Sequence, residues 1–167
     1  MMKKRLLCAL LLLALALSLL PTVALADDAN TAGTAEELQS LLGQRKTPIK
    51  LTDNINLNGK TWPGIGTASN QYTGTFDGKY FMVSGLAGSK GLFDFVGGCV
   101  IKNLTVSGAI KEGTNMGLLA DVSAGTVENC FTTGSLHRIN SYGTTGGLIG
   151  RADAGTVIRN CGSAANV

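Results

Sequence analysis

Asp77, Asp94, Asp121 and Asp153 are the side chains of this 167-residue chain best suited to acid–base work. Two carboxylates brought together can supply the acid and its partner for glycan cleavage. Asp94 and Asp121 fall one place apart when two similar stretches are aligned, so neighbouring structural copies could bring them together. Turn carboxylates meet this way without catalysing anything, and spacing alone assigns no catalytic residue. His137 is the single histidine, which argues against a histidine-rich metal site and leaves a Ser-His-Asp triad no spare candidates. Without a fixed partner it reads as a solvated loop side chain beside Arg138, Asn140 and Tyr142. The chain has no zinc-binding HExxH run, no phosphate-cradling glycine loop and no Gly-x-Ser-x-Gly elbow. Gly97-Gly98 and Gly146-Gly147 lack the Lys-Ser/Thr or helix that phosphate binding needs, and read as turns. Asp53-Asn54 and Asp77-Gly78 read as turn chemistry rather than calcium ligands. Trp62, Tyr72 and Tyr80 could stack on sugar, against the competing use of packing a first turn of the fold. The chain is therefore expected not to be an enzyme, with no catalytic, cofactor-binding or metal-ligating residues.

Charges and thiols indicate a compartment. Residues 1–5 are basic, residues 6–20 form an uncharged Leu/Ala run, and Pro21 breaks it. Ala24 and Ala26 are small residues where a signal peptidase reads, so residues 1–26 are expected to be a cleaved secretory signal peptide. An uncleaved anchor is the alternative, since residues 6–26 nearly span a bilayer, but the apolar core is short. Cys8 has no lipidation motif before it. The mature chain, 27–167, is one domain's worth of sequence. It keeps Cys99, Cys130 and Cys161, an odd number that cannot pair completely within one molecule and is too sparse for a disulfide scaffold. Of 14 Lys and Arg, the three in the leader leave eleven, matching the 11 Asp and Glu. A neutral chain argues against nucleic acid as a partner. The 44% hydrophobic fraction argues against a disordered tail. No membrane span is expected after cleavage.

An internal repeat supplies the elements that must position these residues. Residues 91–110 (GLFDFVGGCVIKNLTVSGAI) match 117–136 (GLLADVSAGTVENCFTTGSL) without a gap at a shift of 26. Gly91, Leu92, Val96, Asn103 and Gly108 fall on Gly117, Leu118, Val122, Asn129 and Gly134. Ile101 falls on Val127, Leu104 on Cys130, and Cys99 on Gly125. A third copy begins at Gly147, with its Gly-Leu offset by 30 and its Asn160-Cys161 by 31, so one extra residue is expected in the turn between them. The shared cores are Val-Ile-Lys-Asn-Leu (100–104), Thr-Val-Glu-Asn-Cys (126–130) and Val-Ile-Arg-Asn-Cys (157–161); residues 82–86 are a fainter relative. Alternating apolar and polar residues suit short strands with one buried face. Flanking glycines suit turns. Such a unit cannot bury its face alone, and stacking the copies in parallel gives a β-solenoid. Leu92, Leu118 and Leu148 are expected to form one inward column, and Ile101, Val127 and Ile158 another. Asn103, Asn129 and Asn160 form a third at a corner, where amides can bond along a ladder. That role outweighs the formal glycosylation sequon at Asn103-Leu104-Thr105. Cys130 and Cys161 are expected as inward neighbours acting as small hydrophobes; a disulfide between them is possible but awkward in an in-register parallel pair.

Upstream, Thr34 and Glu37 fit a capping box before Leu38, Leu41 and Leu42, predicting a helix over 35–42 ended by Gly43. It has a purpose, since the first turn of a solenoid exposes an open apolar end. Strands are expected at 50–57, 73–77 and 80–84. Gly91-Leu92-Phe93, Gly117-Leu118-Leu119-Ala120 and Gly147-Leu148-Ile149-Gly150, each followed by an Asn-Leu or Asn-Cys step, resemble the GLUG motif. The third matches its Gly-Leu-x-Gly signature; the others depart at the last glycine (Asp94, Ala120). Trp62-Pro63-Gly64-Ile65-Gly66, Phe76-Asp77-Gly78 and Val83-Ser84-Gly85-Leu86 look like opening turns of the same proteins.

The resemblance covers about 45–167. It implies an all-β, right-handed parallel β-helix on secreted or cell-wall-bound bacterial proteins, some adhesin-like and some accompanying IgA-specific metallopeptidases. It carries no catalytic residues. The expected organisation is a signal peptide at 1–26, a linker with a short capping helix at 27–45, first β-helix turns at 46–90, and repeats at 91–116, 117–146 and 147–167, the last incomplete. The expected function is a non-catalytic, secreted or cell-surface interaction or adhesion module without cofactor, forming the N-terminal part of a longer surface protein. Its partner would be a host or cell-surface protein or a glycan. A carbohydrate-active β-helix and a purely structural spacer are the alternatives. The third copy stops without a recognisable cap, so edge-to-edge self-association at that open turn is a further expectation.

Overall fold

The computed structural model describes residues 30–139 and 142–167. The expected leader at 1–26, with Cys8, lies outside the described residues. The chain winds as a parallel β-solenoid of about four turns with one short helix near its start. Its elements are β1 (Asn30–Ala32), α1 (Ala35–Ser40), β2 (Ile49–Leu51), β3 (Ile55–Asn56), β4 (Thr75–Asp77), β5 (Met82–Gly88), β6 (Phe93–Lys111), β7 (Asn115–Met116), β8 (Ala120–His137), β9 (Thr144–Thr145), β10 (Ile149–Ala152), β11 (Val157–Arg159) and β12 (Gly162–Asn166). The long strands β6 and β8 each run along three faces and bend at two corners.

The first face stacks β1, β2, β4, the middles of β6 and β8, and β11. Its inward column is Ile49, Phe76, Ile101, Val127 and Ile158, each paired with the next. Its outward column is Lys50, Asp77, Lys102, Glu128 and Arg159, so charge alternates in sign from turn to turn. Opposite charges on directly paired positions favour this register. The second face stacks β3, β5, the ends of β6 and β8, and β12, with Ile55, Val83, Val106, Thr132 and Ser163 in one inward column. The two hydroxyls in that column satisfy each other: Thr132 Oγ1 lies 2.9 Å from Ser163 Oγ and 3.0 Å from the Gly147 carbonyl. The third face carries Phe93–Ala120–Ile149, below which Ile65 bridges to Phe93. Tyr72, Phe76 and Phe93 fill the interior, with ring centroids 5.6 and 5.2 Å apart.

The corner between the first and second faces is built by asparagine. Asn103, Asn129 and Asn160 have φ of 53°, 51° and 49°, a left-handed conformation that asparagine tolerates better than other non-glycine residues. Their amides form a ladder: Asn160 Nδ2 donates to Asn129 Oδ1 at 3.4 Å, Asn129 Nδ2 to Asn103 Oδ1 at 3.0 Å, and Asn103 Nδ2 to Asp77 Oδ1 at 3.0 Å. Asp77 ends the ladder where Gly78 offers no side chain.

Several sequence expectations change in detail. The helix is α-helical only over Ala35–Ser40 and tightens into a 3-10 turn over Leu41–Gly43; its capping box is present and Leu38 is fully buried. The strand expected at 50–57 divides into β2 and β3, because residues 52–54 turn a corner where Asn54 Oδ1 accepts from the Met82 amide at 2.8 Å. The gapless shift of 26 holds from Val100 to Lys111, but Phe93 to Gly97 pair at a shift of 27, with an irregularity between Gly97 and Val100. Likewise the turn between β10 and β11 holds two extra residues rather than one. β1 has no sequence signal of its own and forms by pairing with β2.

The corner makes a direct prediction. Asn129→Gly keeps the left-handed backbone and loses only ladder bonds, costing about 1 kcal/mol. Asn129→Ala also strains the backbone and should cost about 2–3 kcal/mol. Equal losses for the two variants in denaturant unfolding would contradict this account of the corner.

Candidate functional site

Asp94 and Asp121 do come together. Their flanking residues pair directly, Phe93 with Ala120 and Phe95 with Val122, so the two aspartates are level on neighbouring turns whose backbones lie about 4.8 Å apart. Gly91 lets the turns approach, since a side chain there would collide with the Gly117 carbonyl. Asp121 Oδ1 accepts from the amides of Gly91 at 3.1 Å and Gly117 at 3.2 Å, tying its own turn to the one before. Asp121 Oδ2 is buried without a hydrogen bond. The nearest cation is Lys90, whose Nζ lies 4.0 Å from it but donates to Asp94 Oδ1 at 2.8 Å.

Burial dominates the Asp121 carboxyl and pushes it up to about 7; the Gly117 and Gly91 amides and Lys90 pull it down, and the Asp94 charge pushes it further up. A carboxyl holding its proton near neutrality has the acidity a general acid needs. Asp121 is only 2% exposed, however, and its bonded oxygen faces its own backbone. Asp77 shows the opposite balance. Burial pushes it up, but the Lys79 amide, the Asn103 side chain, and the charges of Lys79 and Lys102 outweigh that and hold it below the usual carboxylate range. Asp153 stands apart in a two-bond pair with Arg151 at 2.8 and 3.1 Å. Four candidate acids thus yield one close pair. Its lysine went unnoticed in the sequence, although the Lys90–Asp94 spacing of four residues was there to be read.

The repeat columns are arranged as follows. Ile101, Val127 and Ile158 pair in sequence, the first two fully buried and Ile158 half exposed on the last turn. Leu92 and Leu118 are buried and Leu148 is half-buried; the Leu92 amide bonds to the Leu118 carbonyl and the Leu118 amide to the Gly147 carbonyl. Cys130 pairs with Leu104 and is buried, Cys161 is half-buried above it, and Cys99 packs against Gly125 at another corner; all three are free thiols. His137 is exposed beside Lys111 on the second face.

The aromatics separate. Trp62 and Tyr72 are buried, with Trp62 Nε1 donating to the Leu92 carbonyl at 2.9 Å and Tyr72 Oη to the Thr75 carbonyl at 3.0 Å. Tyr80 is 78% exposed. It lies near an outward column of Met82, Thr105, Phe131 and Gly162, in which Phe131 is 44% exposed. Along the same outer side run Ser107, Ala109, Thr133 and Ser135. At its far edge is an open groove of about 560 Å³, floored by Ala87, Gly88 and Ala109 and rimmed by Thr61, Lys111 and Glu112. Among the described residues there is no cluster of three metal-ligating side chains, and no helix is long and apolar enough to cross a membrane.

The chain is similar to Halomucin of Haloquadratum walsbyi, 32% identical over 158 residues, covering 83% of this chain and 2% of that protein. The chain therefore spans about 2% of the length of the curated relative it matches. No protein-family model matches the chain. No solved structure matches it.

The two acids set a pH profile. Asp121 holds its proton more tightly folded, up to about 7, than unfolded, about 3.9. Its unfavourable burial is relieved below about pH 4 and returns as pH rises through about 7, so stability falls across that window. Asp77, held low, contributes stability that is lost as pH falls below the ordinary carboxylate range. Melting temperature should therefore drop between pH 5 and pH 8, and Asp121→Asn should flatten that drop; an unchanged slope in Asp121→Asn would refute the assignment.

Proposed function

We propose that the chain is a non-catalytic β-solenoid interaction module, secreted or displayed at a cell surface as part of a longer protein and built of GLUG-type turns. We infer that its contact surface is the outer side of the second face. The observation that carries this reading is the contrast between the two candidate sites. The carboxylate pair is enclosed and bonded to its own chain, whereas Tyr80, Met82 and Phe131 stand exposed beside a row of hydroxyls and small side chains. Flat, largely uncharged hydroxyl surfaces with exposed aromatic rings suit neutral glycans, which take hydrogen bonds at their edges and ring contact on their apolar faces. The similarity to a small segment of a far longer protein supports a modular role. A carbohydrate-cleaving reading would require Asp121 to reach solvent, and its burial weighs against that.

Two measurements test the proposal. Binding of the chain to immobilised cell-surface glycans should weaken at least tenfold in a Tyr80→Ala/Phe131→Ala double variant and be unaffected by Tyr142→Ala, an exposed aromatic of the loop before β9. Equal effects of the two variants would remove the second face as the contact surface. In a reducing-sugar assay the native chain should release nothing from polysaccharides; release that Asp94→Ala and Asp121→Ala abolish would establish catalysis and overturn the non-catalytic reading.

A further inference from the structure

Cys130 and Cys161 occupy neighbouring turns of one column. The pairs on either side, Glu128 with Arg159 and Phe131 with Gly162, are in parallel register. The two Cα atoms are therefore about one strand spacing, ~4.8 Å, apart, inside the ~4.4–6.8 Å that a disulfide spans. The sulfurs are placed alike on successive turns, each over the carbonyl two residues before it. The Cys130 amide donates to Cys161 Sγ at 3.4 Å, Cys161 Sγ donates to the Arg159 carbonyl at 3.0 Å, and Cys130 Sγ donates to the Glu128 carbonyl at 3.3 Å. Leu104 closes the column below Cys130. Both thiols are free. In the turn that carries Cys161, β11 pairs with β8 alone through three register pairs, and Val157 and Ile158 are exposed.

We propose that Cys130 and Cys161 form a reversible redox pair, closing to a disulfide that clips the turn bearing β11 and β12 onto β8. The reaction begins at Cys161, the more accessible sulfur. Its thiolate attacks a small-molecule disulfide such as oxidised glutathione, giving a mixed disulfide and releasing one small thiol. The Cys130 sulfur then attacks Cys161 Sγ, and its proton leaves with the second small thiol. Two protein thiols are oxidised by two electrons, and one small disulfide is reduced to two thiols. Burial pushes the Cys130 thiol up to about 12, with the neighbouring Cys161 adding to the rise, so the second step is the slow one. In-register parallel strands hold the Cβ atoms wider than the ~3.8 Å a disulfide prefers. The bond is therefore strained and open to reduction, which makes the clip reversible. Cys99, at another corner, has no thiol neighbour among the described residues and stays reduced. The proposal is independent of what the second face binds.

The test treats the full folded chain with oxidised glutathione, alkylates it under denaturing conditions and maps the peptides. The expected result is a Cys130–Cys161 linked peptide with Cys99 alkylated. Trypsin cleavage at Arg159 should slow several-fold on oxidation and recover on reduction, and neither change should occur in Cys161→Ser. Recovery of Cys130 and Cys161 as alkylated thiols, or as stable mixed disulfides with glutathione, would overturn the proposal. So would slowed cleavage at Arg159 in Cys161→Ser. Cys161 is only half-buried, and an unchanged circular-dichroism spectrum and melting temperature in Cys161→Ser establish that the control is folded.

Discussion

At one corner of every full repeat the chain must turn sharply out of one face and restart on the next, one strand spacing higher and in register. Asn103, Asn129 and Asn160 meet both demands with one residue type. Their left-handed backbone makes the bend, and their amides, linked turn to turn, fix where the bend falls. A one-residue slip would turn Lys102, Glu128 and Arg159 inward and expose Ile101, Val127 and Ile158, at the cost of burying charge and wetting the core. The alternating charge column and the aliphatic column are thus the outer and inner sides of one register. Because parallel stacking makes each turn depend chiefly on its neighbours, pinning this corner in each turn aligns the strands that run into and out of it.

The same principle accounts for the different fates of two aspartates. Asp77 ends the asparagine ladder, where donors converge on it: an amide proton, an asparagine side chain and two lysines. Its charge is solvated by the protein. Asp121 receives two amide protons on one oxygen, but its other oxygen is sealed without a partner and its lysine is committed to Asp94. There, desolvation wins. Neither outcome needs a ligand to explain it; both follow from how many donors the local turn geometry can aim at a carboxyl whose neighbours are fixed by register.

Much of this was legible in the chain itself. The cores 100–104, 126–130 and 157–161 announce parallel turns and place asparagine at a corner, because stacking forces like residues into columns. The alternating charges were present in the same cores, as Lys102, Glu128 and Arg159, but carry meaning only once those residues face each other across turns. The shift from 26 to 27 between Phe93 and Gly97 was hidden. One residue fewer after Gly91-Leu92 is balanced by one more before Val100, and a gapless alignment absorbs such a pair of changes. It is this shift that sets Asp94 opposite Asp121, so the sequence put the two acids one place apart where the structure puts them level. β1 was illegible for another reason: three residues without periodicity become a strand only when β2 offers its edge.

The geometry also bears on what a solenoid of this kind is good for. Each turn takes 26 residues where the first face runs from Ile101 to Val127 and advances the structure by only one strand spacing, about 4.8 Å. The same residues in an α-helix would reach about 39 Å. As a spacer the architecture is inefficient by roughly an order of magnitude. What it produces per turn is a fresh row on each of three flat faces, with outward positions free to vary because the inward columns and the corner carry the fold. On the first face those positions are taken by charges that pin the register. On the second, no such task falls to Thr105, Ser107, Phe131 or Thr133, whose partners across the turns are neutral. Outward side chains released from maintaining the fold are the ones on which a partner's chemistry can act, and that favours a binding surface over a rod.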